Sequence, residues 1–146
     1  MDAERTALFE ERIGHRFLDP ALLDRALTHA SWANEHPPAA DHESLALVGD
    51  AALSLVVAER LYAADPDAPV GVLTPRRAEI VSDANLARWS TELGLGELVK
   101  LGRGEDLTGG RSRASILATT LEAVLGAIHL ESGLDAVRAV VRRLGA

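Results

Sequence analysis

The chain has 146 residues, of which 47% are hydrophobic and 25% charged; this is the composition of one globular domain, not of a disordered, collagenous or membrane protein. Cysteine is absent, which excludes disulfides and thiolate metal sites, and the charged start MDAERTALFEERIG together with the lack of a run of about 18 apolar residues points to a cytoplasmic protein with no membrane partner. The net charge of −7 argues against nucleic-acid binding by overall charge, although basic residues cluster at Arg76 and Arg77, at Lys100 and Arg103, at Arg111 and Arg113, and at Arg138, Arg142 and Arg143.

Apolar residues recur at three- and four-residue steps and no run alternates at period two, so an all-α domain is expected. The first helix is predicted over Ala3 to Ile13, ended by Gly14. The second follows Asp19-Pro20, where proline suits a first turn, and carries Leu22, Leu23, Ala26 and Leu27. Paired prolines make NEHPPAAD, Asn34 to Asp41, a loop. A long apolar helix then runs from about Glu43 to Ala63, and DPDAPVG breaks it. Thr74-Pro75 reads as an N-cap with a first-turn proline, opening a helix to about Leu93 that Gly94 ends. Leu101 to Ser115 is a glycine-rich polar connector, with neither the lysine nor the preceding strand of a phosphate-binding loop. ILATTLEAVLGAIHLESG is a second apolar helix, and an amphipathic helix from Leu134 to Leu144 closes the chain.

Each of the two apolar helices contains a lone acid, Asp50 in the first and Glu122 in the second. A carboxylate among apolar neighbours costs several kcal/mol to bury unless it is partnered. If the helices cross, the two carboxylates meet, and a proton or a cation of the Mg²⁺ or Mn²⁺ type would relieve their repulsion. Glu43, seven residues before Asp50, lies on the same helical face. Equally open is a structural role, with Asp50 paired to Arg76 or Arg77 and Glu122 bonded to backbone. Gly49 inside the helix points to close backbone packing or a crowded site.

The segments ALTHASWANE, HESLALVGDAAL, LGRGEDLTGG and RASILATTLEAVLGAIHLE, in this order and spacing, resemble the successive signatures of the ribonuclease III endonuclease domain over nearly the whole chain, residues 1–146. The resemblance implies an all-α symmetric homodimer with a groove for double-stranded RNA across both subunits. In active members each subunit uses divalent metal, Mg²⁺ or Mn²⁺, to cut one strand, leaving 5′-phosphate and 3′-hydroxyl ends. It also implies that Leu47 stands where a phenylalanine inserts into the partner subunit, and that His29, Arg76, Arg77, Arg111 and Arg113 fall in segments that could contact RNA. Together with His29, Ser31 and Glu35 either brace the site or approach the RNA backbone, or serve only in local hydrogen bonding and helix capping. The chain stops at Ala146, so no C-terminal double-stranded RNA-binding domain is expected, and duplex binding should be weak and steeply salt dependent.

The match is broken at the acids. Glu43, Asp50 and Glu122 keep family positions as candidate catalytic residues, with Asp50 and Glu122 as metal ligands. Ala46 and Thr119 stand where the resemblance places two further carboxylates, and Val70 replaces another glutamate. Alanine has no ligand atom and threonine only a neutral hydroxyl, while phosphodiester cleavage needs a well-held ion. His42, in place of an asparagine, offers an imidazole that could ligate or act as a base, a cap or surface position being the plainer reading. The expected function is therefore a pseudoenzyme associated with double-stranded or structured RNA in RNA processing or a ribonucleoprotein such as the ribosome, with cleavage impaired or absent and then no cofactor. The alternatives are an active metal-dependent endonuclease with a reduced ligand set, and a dimerisation module for a catalytically complete paralogue.

Overall fold

In the computed structural model, which describes residues 2–145, the three- and four-residue apolar repeat becomes ten α-helices and one 3₁₀ turn: α1 Ala3–Ile13, α2 Pro20–Ala26, α3 Ala30–Glu35, α4 Glu43–Ala64, α5 Val70–Ile80, α6 Asp83–Leu93, α7 Leu95–Leu98, α8 Arg103–Leu107, the 3₁₀ turn Gly110–Ser112, α9 Ala114–Ser132 and α10 Leu134–Leu144. No strand forms among the described residues, and a single bridge joins Thr28 to Lys100. The all-α expectation is met.

The two apolar helices are the centre. α4 packs along α9, which is flanked by α6 and α10, and from this contact come Leu45, Leu53, Val56, Leu121, Leu125 and Ile128, each at most 3% exposed. The crossing is tight because it is made by glycines. A Cβ built on Gly49 would collide with the backbone carbonyl of Glu122, and one on Gly126 with that of Leu45. The close packing predicted from Gly49 is thus a backbone-to-backbone contact, possible only without side chains. α9 is long and apolar enough to cross a membrane by length and composition alone, but most of its residues are buried, against α4, α6 and α10.

Three expectations are corrected. The loop before α4 begins later than Asn34, since α3 continues to Glu35. The connector from Leu101 to Ser115 contains α8 and the 3₁₀ turn. The single helix predicted from Thr74 to Leu93 is two. α5 starts at Val70 behind Pro69 and takes Pro75 into its interior, where proline has no amide to give the exposed Gly71 carbonyl four residues back. The break after Ile80 is capped from both sides: Ser82 Oγ accepts from the Asn85 amide at 3.2 Å, and Asn85 Nδ2 donates to the Ile80 carbonyl at 2.7 Å. Such side-chain bonds offer the backbone an alternative to continuing the helix. α5 buries none of its residues. Together with Leu47, Leu55 and Tyr62 of α4, its Val70 and Val72 expose apolar surface.

Candidate active site at the helix crossing

Because Gly49 rests on the Glu122 carbonyl, the residue after Gly49 and the side chain of Glu122 are forced to the same place. Asp50, exposed on α4, comes near enough to the half-buried Glu122 to act on its carboxyl. The Glu122 carboxyl is pushed up to about 8, first by burial, then by hydrogen bonding with Asp50 and the Asp50 charge, and last by the charge of Asp83. No ion pair joins either acid to an arginine among the described residues; the predicted alternative, Asp50 paired with Arg76 or Arg77, is not what forms.

The rest of the predicted ligand set does not assemble. Ala46, one turn before Asp50, is buried, and Thr119, one turn before Glu122, is half-buried. Neither supplies a carboxylate. Glu43 is exposed at the start of α4, seven residues and so about 10 Å along the axis from Asp50. Val70 is 76% exposed at the start of α5. Among the described residues no three His, Cys, Asp or Glu side chains come together to hold a metal ion. On this donor set a divalent cation of the kind the fold implies is not fitted: two carboxyls, one of them inclined to keep its proton, leave most of an oxygen shell to water.

His42 is neither cap nor surface residue. It is 2% exposed, and the cap bond at the start of α4 comes from Asp41, whose Oδ1 accepts from the Glu43 amide at 3.0 Å. Thr120 donates its hydroxyl proton to the Ile116 carbonyl at 2.7 Å, so His42 Nε2, 3.3 Å from that oxygen, is the donor to it. Nδ1 is then a bare acceptor, and it has no partner. Burial, followed by the neighbouring His29, pushes the imidazole down to about 4, against the opposing charge of Asp41. This is a neutral core histidine with a Thr120 contact, and it joins no cluster of metal-ligating side chains among the described residues.

The candidate RNA-contacting residues divide into two groups. Arg76 and Arg77 are exposed on α5, with no ion pair among the described residues. Arg111 is taken up by the fold: it donates to the Gly96 and Val99 carbonyls at 3.1 and 2.7 Å and pairs with Asp106 at 2.9 Å. Arg113 pairs with Glu105 at 2.7 Å and donates to the Thr108 carbonyl. His29 Nδ1 caps α3 by accepting from the Ser31 amide. Ser31 Oγ accepts from the Gly102 amide at 2.8 Å, and Glu35 from the Arg103 amide at 2.9 Å. Only His29 caps its own helix; Ser31 and Glu35 instead brace the segment that starts α8, 71 and 68 residues away in the chain.

Asp83 was missed from sequence. It is the first residue of α6 and reaches Glu122 through its charge. The unbroken helix predicted through this region hid it, since Ser82-Asp83 signals a helix start only once the break after Ile80 is recognised.

A family model described as ribonuclease-III-like matches residues 19–145. A protein named Ribonuclease 3 from Bdellovibrio bacteriovorus is 44% identical over 144 residues, covering 98% of this chain and 61% of its own length. One of the same name from Streptomyces coelicolor is 49% identical over 142 residues, covering 97% and 51%. The chain therefore spans about half to three fifths of these relatives. The crystal structure of the nuclease domain of ribonuclease III from Campylobacter jejuni superposes with a TM-score of 0.88 at 35% identity, over 94% of this chain and 91% of that one. A second structure of that domain, described for structural flexibility in a region involved in dimer formation, superposes equally well.

Proposed function

The chain belongs to the ribonuclease-III-like family, and on that premise we propose that it is a homodimeric family scaffold in the cytoplasm that associates with double-stranded or structured RNA while cutting it poorly or not at all. The observation that carries this reading is the helix crossing itself. Asp50 and Glu122 are brought together, yet Ala46 and Thr119 occupy the positions flanking them and no third ligand approaches. Cleavage of a phosphodiester with metal help requires an ion held firmly enough to activate water and steady the leaving oxygen.

RNA association is supported by Arg76 and Arg77, which are exposed on a helix that buries nothing and remain available for phosphate. Arg111 and Arg113 contribute through the fold of the connector. Dimerisation is supported by the exposed apolar side chains that α4 and α5 carry, Leu47, Leu55, Val70 and Val72, of which Leu47 is 74% exposed; exposed apolar surface of this kind is a mark of association.

The test is incubation of a labelled RNA duplex with the protein in Mg²⁺ and in Mn²⁺, beside an Asp50→Asn, Glu122→Gln control, with binding followed by gel shift. Retained binding without cleavage is expected. The approach of Asp50 to Glu122 favours the second reading, an endonuclease with a reduced ligand set; cleavage that vanishes in the control would establish it in place of the first.

A further inference from the structure

We infer that the α4–α9 crossing has lost divalent-cation binding but kept the frame for it, so that Ala46→Glu with Thr119→Asp is enough to create a cation site on an otherwise unchanged fold. This rests on the reading of the crossing as a depleted family site, and it concerns the chain's own residues.

The frame is independent of any ion. Gly49 and Gly126 set the helix separation by meeting the carbonyls of Glu122 and Leu45, and the large apolar side chains on either side hold it there. Helical geometry then fixes position 46 four residues before Asp50 and position 119 three residues before Glu122, on the faces that bring those acids together. Position 119 is half-buried and so has room for a carboxylate reaching solvent.

No other group fills the gap. Asp83 acts on Glu122 through its field without completing a ligand set, Glu43 is two turns away, and His42 is committed to the core beside Thr120. Equally, the site has not been rebuilt for another purpose. A converted site would be expected to hold an arginine or lysine against Asp50 or Glu122, and none pairs with them among the described residues. What is missing is the carboxylates themselves, and at buried Ala46 the longer side chain must turn outward past the core edge toward Asp50.

The experiment is calorimetric titration of Mn²⁺ into the whole chain and into the Ala46→Glu, Thr119→Asp variant, with helicity checked by circular dichroism. No saturable binding to the chain itself and at least about tenfold tighter binding to the variant are expected from the added ligand charge. Binding to the chain as tight as to the variant overturns the inference, and so does a folded variant with no gain. Should the double variant not fold, Thr119→Asp alone supplies a third carboxylate at a half-exposed position and must show an intermediate gain; its absence is equally fatal. RNA association is measured separately in EDTA, so its loss would remove the proposed function while leaving this inference standing.

Discussion

Replacing Gly49 by alanine adds one methyl group, and its cost follows from where the methyl must go. The new Cβ meets the Glu122 carbonyl, which is backbone and cannot rotate aside, so the helices must separate. A gap of 0.5–1 Å forfeits roughly a quarter to a half of the dispersion contact across it. Six large side chains line this contact, namely Leu45, Leu53, Val56, Leu121, Leu125 and Ile128, and each is worth about 2 kcal/mol when buried. Losing about a third of that comes to about 4 kcal/mol, and alanine returns about 1 kcal/mol of helix propensity. Urea unfolding should therefore show Gly49→Ala destabilised by about 3 kcal/mol. Gly71 is the control: a Cβ there meets nothing within 4 Å, and Gly71→Ala should stabilise by about 0.5 kcal/mol. If Gly49→Ala is as stable as the parent, the glycine contact does not set the helix separation and the account of the site frame fails with it.

Glu122, pushed up from 4.5 to about 8 by burial and then by Asp50 and Asp83, keeps in the folded state a proton that the unfolded chain releases, so stability falls as pH rises through that window. His42, pushed down from 6.5 to about 4 chiefly by burial, acts in the opposite sense, with stability lost as pH falls below 6.5. The two offset each other in acid, leaving a decline between pH 6.5 and 8 that Glu122→Gln should abolish; after discounting for the half-exposed side chain it amounts to about 1–2 kcal/mol, readable from urea midpoints at pH 6.5 and 8.5. Arg111→Ala strands the Gly96 and Val99 carbonyls and should cost about 1.5–3 kcal/mol in the same assay; a change confined to RNA affinity would refute its role in the fold. Arg76→Ala and Arg77→Ala should leave stability within about 0.5 kcal/mol while each lowers the salt slope of duplex binding by about 1, and an unaltered slope would remove α5 from the RNA surface. Leu47→Arg should convert a dimer to monomer in analytical ultracentrifugation without loss of helicity; persistence of the dimer would place its interface elsewhere.

The elements with undivided signals were legible in the sequence. α1 and α10 have the predicted ends, because Gly14 takes a left-handed conformation with φ of 75° after Ile13 and Leu134 begins a fresh amphipathic repeat after Gly133. The meeting of Asp50 and Glu122 could be reasoned from two lone acids and one glycine. What the sequence could not yield depended on partners distant in the chain. Pro75 reads as a helix start by local rules, yet α5 begins five residues earlier at Val70. His42 looks like a cap until Thr120, 78 positions away, is folded against it. Arg111 looks like a surface charge until the carbonyls of Gly96 and Val99, 15 and 12 residues earlier, claim it.

The polar residues leading into α4 have a further consequence through the amides of Gly102 and Arg103, which they hold. Ser31 and Glu35 tie α3, which leads into α4, to the start of α8, which leads into α9, so the two segments behave as the halves of a buckle. Substituting either one loosens the fold whether or not the protein ever cuts RNA. Ser31 and Glu35 are therefore held by a mechanical duty that Ala46 and Thr119 do not share. A motif residue with such a duty is constrained by folding as well as by any chemistry of the site.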